Sequence, residues 1–483
     1  MSDIRVSKIN EAYIHIDCDQ GILKEMSELF TFDVPGAKFM PSYRNRFWDG
    51  KIRLLNPRTR QLYAGLYHKL LEFAKELDYE VESEGFETEE LSLEEMREFA
   101  ASLNIPGITP AEDQLQYCAV AIRNHRAVLV SPTGSGKSLI AYILSQWYST
   151  KTLIVVPTKA LVLQMISDFE SYGYKEPMHA IMGGRSKTSE CNITVSTWQS
   201  IYEQEPDFFD DYEVIIGDEA HLFKAKSLVD IMTRAVDTKY RFGMTGTLDG
   251  SGVNELVLEG LFGQIVQIKT TSELIKEGRL AELKIKVLVL SHDKEDRKFV
   301  GASYPDEIEY LIEHTARNRF IRNLALSLKG NTLVLYTRVE GHGVKLHHII
   351  QQKAPNPESV FLLHGGVSAE ERERIRKIID TLQTSITVAS TGVFSTGSNV
   401  KRIHNIIFAS PSKSRIRVFQ SIGRGLRLGE LKTSCTLFDI GDDISRGAKK
   451  NFTLRHMVDR VKMYNMEKFP YDIHSIKLKG RNS

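Results

Sequence analysis

"AVLVSPTGSGKSLIAYIL", Ala127 to Leu144, sets an apolar run, a glycine-bearing loop and an amphipathic stretch in direct succession. Strand, loop and helix in this order is how a parallel sheet presents a helix N-terminus to a phosphate. Gly134 and Gly136 let backbone N–H groups turn inward with no Cβ in the way. Lys137 adds a mobile full charge suited to β/γ-phosphate oxygens, and Ser138 is placed to hold Mg²⁺. Thr133 and Ser135 complete a loop of the kind that wraps ATP. The usual G-x-x-x-x-G-K-[ST] begins here with Ser131, one glycine short of the strict pattern. A plain Gly/Ser turn ahead of a core helix is the bland alternative, and strand and helix both standing in the right places weigh against it.

Downstream, "EVIIGDEAH" (213–221) brings Asp218 and Glu219 to the end of a buried strand, where open α/β sheets bind ligands. Asp218 suits a Mg²⁺ shell, and Glu219 suits a base that orients and deprotonates an attacking water. Alone, an acidic pair after a strand is usually surface acid; behind a phosphate loop it reads as the second half of a site. The third part is "QSIGRGLR" (420–427), whose Arg424 and Arg427 would reach the γ-phosphate from across a cleft as arginine fingers.

Organisation along the chain agrees. The first ~90 residues form a small α+β unit: "AYIHID" alternates as a strand, "GILKEMSELF" has helical spacing, and Leu66, Leu70, Phe73 and Leu77 share a helical face. Within it, "FMPSYRNRFW" and "KIRLLNP" flank Asp49-Gly50, a two-residue hairpin signal. Residues 91–110 form a linker helix opened by a capping box at Ser92 and Glu95. From 111 the pattern becomes strand-loop-helix with the apolar runs "AVLV", "TLIVVP", "ITVST", "EVIIGDE" and "RFGMTG". It restarts near 281 with "LKIKVLVL", "NTLVLYT", "SVFLLHG", "SITVAS", "NIIFAS" and "CTLFDI". The two doubly wound parallel-sheet domains thus span 111–280 and 281–445, and a C-terminal helical extension spans 446–483.

With 483 residues and net charge +1, the chain is a soluble-type polypeptide too long for one core, and bulk charge names no partner. Residues 72–98 are acidic, read as a solvated face, whereas 401–427 and 449–481 lean basic. Cys18, Cys118, Cys191 and Cys435 form no CxxC, which excludes a zinc ribbon and a disulfide framework. No apolar run reaches the ~18 residues of a membrane span, and "MSDIRVSKIN" lacks a signal-peptide core. The expectation is a cytoplasmic protein with no membrane partner.

Eight stretches, in order, resemble the motif set of superfamily 2 helicases: "SPTGSGKS", "VPTKALVLQM", "VSTWQS", "DEAH", "MTGT", "LVLYT", "ASTGVFSTGSNV" and "QSIGRGLR". "TGT" at 245–247 is similar to the branch containing XPB-type and RecG-type DNA enzymes. "FWDGKIRLL" with "YAGLYHKLLEF", and "HMVDRVKMYNMEKFPY" near the end, resemble UvsW-type phage recombination helicases. The resemblance implies two RecA-like domains behind a DNA-sensing N-terminal domain, and a monomeric motor that uses ATP and Mg²⁺ to unwind, rewind or migrate forks and four-way junctions in host cytoplasm. It implies adenine reading by Gln114, with Gln116 close enough to compete for that role, and contact with ATP and DNA by Gly397. It implies coupling of nucleotide state to DNA by His221, Thr245, Thr247 and Gln420. Thr158 and Thr197 of one lobe, and Thr337 and Thr391 of the other, match strand-gripping positions. Asn399 stands where Asp is frequent, and "AEDQLQ" lacks the Arg and aromatic that often precede the glutamine.

A nucleic-acid motor gives meaning to "RNRFWDGKIRLL" (44–55). Arg44, Arg46, Lys51 and Arg53 become phosphate contacts, each steepening salt dependence by about one unit of slope. Trp48 has two roles open to it, stacking on a base exposed at a branch, worth roughly 1–3 kcal/mol, or packing in the core, the second being favoured. Two rivals stand beside this reading: an RNA or RNA–DNA hybrid helicase, and a DNA-binding module in which ATP is a switch without useful turnover.

Overall fold

The computed structural model describes residues 2–478 apart from 35, 184–188, 224, 249, 251, 302, 396–401, 411–413, 429–431 and 446–449. The chain divides into two compact units, Met1–Ser131 with Gly136–Ile268, and Pro132–Ser135 with Lys269–Ser483.

The first unit begins with a four-stranded sheet in the order Gln61–Tyr63, Tyr13–Cys18, Ile4–Lys8, Val81–Glu84. Period-two alternation buries Ile4, Val6, Ile14 and Ile16 on one face. The helices Gln20–Leu29 and Tyr67–Glu76 cover that face with Ile22, Leu23, Met26, Leu70 and Phe73. This layer shares one hydrophobic core with the larger sheet behind it, including Val128, Val130, Leu153 and Phe262. The seam is close. A Cβ on Gly65 would lie 2.0 Å from the Glu259 carbonyl oxygen, so only glycine fits there. Arg126 donates to the Glu11 carboxylate at 2.7 Å, and His68 Nε2 lies 3.2 Å from Glu259 Oε1.

The larger sheet has seven parallel strands in the order Ile265–Val266, Arg126–Val130, Tyr240–Thr245, Val214–Asp218, Thr152–Val156, Ile193–Thr197, Met178–Ile181. Alternate residues of one strand feed different cores: Val128 and Val130 face one, Ala127 and Leu129 the other. Burial on both faces is why these segments read as continuous apolar runs. The capping box forms as expected, with Glu95 N–H donating to Ser92 Oγ at 3.1 Å. The helix it opens, Leu93–Ser102, packs Met96 and Ala100 into the second core.

The second unit carries another seven-stranded parallel sheet, ordered Val360–Leu363, Ile386–Ser390, Thr332–Tyr336, Asn405–Phe408, Ser434–Asp443, Glu282–Ser291, Tyr471–Lys477. Leu333 and Leu335 face one core, Val334 and Tyr336 the other. The C-terminal helix Phe452–Met466 forms, and its Arg460 turns inward onto Asp439 at 2.6 Å instead of joining the solvated basic side. After it, Tyr471–Lys477 adds an edge strand that the polar sequence did not announce.

One local expectation is corrected. The hairpin across Asp49-Gly50 does not form: Lys51–Arg53 pairs antiparallel with Thr31–Asp33 instead. Between them lies an excursion containing the helical turn Pro41–Arg44. Pro41 has no N–H for a ladder and its fixed φ suits a first helical position. Trp48 is half-buried, its indole N–H donating to the Lys51 carbonyl at 2.8 Å; it belongs to this excursion and not to the core under the helix from Gly65.

Candidate nucleotide and nucleic-acid site

The loop after Arg126–Val130 has the backbone its glycines were expected to supply, with φ of +90° at Gly134 and +88° at Gly136. Ser131 N–H is tied to the Thr245 carbonyl at 2.9 Å, and Ser135 Oγ donates to the Pro132 carbonyl at 2.6 Å. Lys137 heads the helix Lys137–Tyr148 and its ammonium donates to the Ser131 carbonyl at 3.2 Å. Ser138 Oγ meets Tyr172 Oη at 2.8 Å, a partner no motif signals. Gln114 is buried and lies against the loop: a Cβ on Gly136 would come within 2.4 Å of its Nε2. Its Oε1 accepts from Ala111 N–H at 2.8 Å.

Asp218 ends its strand one neighbour away from that loop's strand in the sheet, with Tyr240–Thr245 between. Burial, and next the Glu219 carboxylate beside it, raise Asp218 to about 6, while the Lys137 charge pulls the other way. Glu219 takes a left-handed φ of +53°, a conformation that costs a non-glycine residue of order 1 kcal/mol and marks functional corners. From it a chain of contacts runs through the site. Glu219 Oε2 is 3.3 Å from His221 Nδ1, which is 3.0 Å from Thr245 Oγ1. Thr245 Oγ1 donates to the Thr247 carbonyl at 3.0 Å.

A Mg²⁺ ion is implied by this chemistry. Ser138 and Asp218 are hard oxygen donors, and the desolvated Asp218 carboxylate gains from a nearby cation, so the residues fit a magnesium whose remaining ligands are phosphate and water. Among the described residues no group of three or more His, Cys, Asp or Glu could hold a metal by protein ligands alone.

The strand-gripping candidates occupy matching places in the two sheets. Thr158 and Thr197 follow or end the paired strands Thr152–Val156 and Ile193–Thr197; Thr337 and Thr391 follow the paired strands Thr332–Tyr336 and Ile386–Ser390. Thr158 Oγ1 caps a helix by accepting from Leu161 N–H at 3.3 Å, and Thr197 Oγ1 pairs with Ser200 Oγ at 2.9 Å. Thr337 is exposed, its N–H donating to Ser410 Oγ at 3.3 Å. Thr391 opens the helix Thr391–Ser395. Gly397 lies outside the described residues.

Gln420 and Arg424 lie on the helix Arg415–Gly425, and Arg427 just beyond it; all three are half-buried. Buried Lys432 donates to the carbonyls of Gly425 and of Arg427, the latter at 2.9 Å, and burial lowers its ammonium to about 8. A cation capping a helix C-terminus fixes the segment that carries both arginines. Sequence reading missed it because a lone lysine in a loop looks solvated. In the N-terminal layer, Arg44, Arg46 and Lys51 are exposed, and exposed Arg53 pairs with Asp49, whose carboxyl it holds at about 2. No described helix is long and apolar enough to cross a membrane.

Comparison with known proteins follows this layout. Residues 3–84 match the family described as "DNA helicase UvsW, N-terminal", 91–250 "Type III restriction enzyme, res subunit", and 316–429 "Helicase conserved C-terminal domain". The ATP-dependent DNA helicase uvsW of Enterobacteria phage T4 is 33% identical, covering 99% of this chain and 100% of its own. The DNA 3'-5' translocase XPB2 of Sulfurisphaera tokodaii is 31% identical over 41% of this chain and 45% of its own. The crystal structure of T4 UvsW superposes with a TM-score of 0.52 at 31% identity, over 98% of this chain and 99% of that one.

Proposed function

Because this chain belongs to the UvsW family of ATP-dependent superfamily 2 helicases, we propose that it acts on branched DNA, hydrolysing ATP to unwind, anneal or migrate forks and four-way junctions. The observation that carries the reading is the run of contacts Glu219–His221–Thr245–Thr247. It joins the residue suited to activating water with the loop expected to sense DNA, inside one packed unit.

In this reading the loop N–H groups and Lys137 bind the β/γ-phosphates, and Gln114 lies where a base would be read. Ser138 and Asp218 would hold Mg²⁺, which neutralises phosphate charge when bound. Glu219 orients the attacking water and takes its proton, and Arg424 and Arg427 stabilise charge on the transferred phosphoryl group. Thr158, Thr197, Thr337 and Thr391 grip one strand by its phosphates, which gives no sequence preference. The shared core and the Gly65 seam support an N-terminal layer that moves with the first lobe, so that DNA held by Arg44, Arg46, Lys51 and Arg53 moves with the ATP-binding sheet.

The test is ATP turnover by wild type and Lys137→Arg with forked DNA, four-way junction, linear duplex, RNA–DNA hybrid and single-stranded RNA at equal concentration. Branched DNA should stimulate the wild type most and the variant not at all. Equal or greater stimulation by RNA or hybrid would overturn the branched-DNA assignment, and turnover persisting in Lys137→Arg would overturn the site.

A further inference from the structure

The excursion between Thr31–Asp33 and Lys51–Arg53 is built to hold an aromatic ring in water. Its base is closed by Val34 N–H donating to the Gly50 carbonyl at 2.8 Å. Gly50, at φ +81°, lets Tyr43 and Ala37 close over it: a Cβ there would lie 3.0 Å from each. The turn Pro41–Arg44 then ends in a defined C-cap. Arg46 N–H donates to the Tyr43 carbonyl at 3.0 Å and Phe47 N–H to the Ser42 carbonyl at 2.9 Å. This is a Schellman pairing, with Arg46 at the left-handed position, φ +59°, that glycine ordinarily takes.

Two things depart from an ordinary cap. The apolar residue after the left-handed position normally folds back onto the helix. Here that residue, Phe47, is 86% exposed, and Phe39 is 67% exposed. Moreover, the strained position carries an arginine where glycine would relax it. An exposed phenylalanine fixed by its own backbone, among the exposed cations Lys38, Arg44, Arg46 and Lys51, is an arrangement with a cost and no return in stability.

We propose that Phe47 is a stacking platform for an unpaired base at a DNA branch, with Lys38, Arg44, Arg46 and Lys51 taking the phosphates on either side. This rests on the branched-DNA reading above and names the residue that tells a branch from a duplex. Charge selects the occupant: a polyanion with flat apolar faces satisfies both the ring and the cations, and every base has such a face. Paired bases inside a duplex are already stacked, so the ring finds a partner only where strands separate. Trp48 does not serve, since its indole N–H is held by the Lys51 carbonyl and its ring is half-buried.

Fluorescence anisotropy with a forked DNA and a linear duplex of equal length tests this on wild type, Phe47→Ala and Phe47→Trp. The fork-to-duplex affinity ratio should fall about ten-fold in Phe47→Ala and return in Phe47→Trp. Thermal unfolding of both variants should match wild type, because Phe47 is 86% exposed. 2-Aminopurine at the branch should change fluorescence on binding in wild type and not in Phe47→Ala. A wild-type fork preference that survives Phe47→Ala would overturn this inference and leave the branched-DNA reading standing; absence of any wild-type preference would overturn both. The same proteins sedimented with phosphatidylglycerol vesicles provide the competing outcome. Phe47-dependent co-sedimentation with an unchanged fork ratio would assign the patch to a lipid surface and overturn the proposal.

Discussion

Each parallel sheet carries an aspartate at or next to the end of an inner strand, and the two are treated in opposite ways. Asp442, next to last in Ser434–Asp443, is fully buried and saturated. Arg317 grips it through Nε and Nη2, both at 2.9 Å, and His292 Nε2 adds a contact at 3.0 Å. Burial alone would raise its pKa, yet Arg317 and His292 outweigh burial and hold it below the usual carboxylate range. Asp218, at the end of Val214–Asp218, is desolvated and has a second carboxylate for a neighbour; Lys137, the Glu219 backbone N–H and His221 do not offset these, and its pKa rises. The same side chain at the same kind of strand end is structural where the protein supplies the cation. Where the cation is left to be brought in, it suits catalysis. Asp439, enclosed by Arg460 and by Tyr464 Oη at 2.9 Å, repeats the structural solution three residues earlier on the opposite face of the strand.

The sharpest break in the comparison is catalytic. Glu219→Gln keeps the shape of the corner but removes the proposed base, and DNA-stimulated hydrolysis should fall by roughly two to four orders of magnitude, read by phosphate release. Asp442→Asn leaves Arg317 charged and buried without its partner. Denaturant titration should show a loss of about 3–5 kcal/mol.

Asp218→Asn should act with the opposite sign and smaller size. A folded pKa raised above the unfolded value means that ionisation at neutral pH opposes folding. The cost is largest above the folded value of about 6 and fades as pH falls toward the unfolded carboxylate range. The variant should therefore be more stable than wild type at pH 7.5 by about 1–2 kcal/mol, discounted for partial exposure, with the gain gone near pH 4. Denaturant midpoints across that range would check it. Smallest of all, Lys51→Ala should lower the slope of log affinity against log salt for duplex DNA by about one and leave stability within error.

How much of this was legible in the sequence follows the same division. The shape of the loop at 131–138 and the strand that ends at Asp218 were readable because a turn with positive φ calls for glycine and a doubly buried strand leaves an apolar run that stops at the acid. The inner strands were readable because burial on both faces leaves them uninterrupted apolar. Arg317, Asp442, Asp439 and Arg460 were not, since a charged residue in a string looks solvated until its partner, more than a hundred residues away in the case of Arg317 and Asp442, is folded onto it. The edge strand Tyr471–Lys477 was hidden because an exposed edge tolerates polar residues throughout. At 34–50 the sequence misled: Asp49-Gly50 does place positive φ at Gly50, but Pro41 and the Schellman pairing of Arg46 and Phe47 turn the preceding segment into a capped helical turn.

The comparison is tested most directly by one paired experiment: fork-stimulated ATP turnover and thermal unfolding measured side by side on Asp218→Asn and Asp442→Asn. The expected result is a crossed pattern. Asp218→Asn melts higher and hydrolyses little or no ATP, whereas Asp442→Asn melts lower and still turns over ATP at a temperature where it is folded. If Asp442→Asn lost turnover while folded, or Asp218→Asn melted lower with its activity intact, the division between a structural and a catalytic aspartate would be wrong.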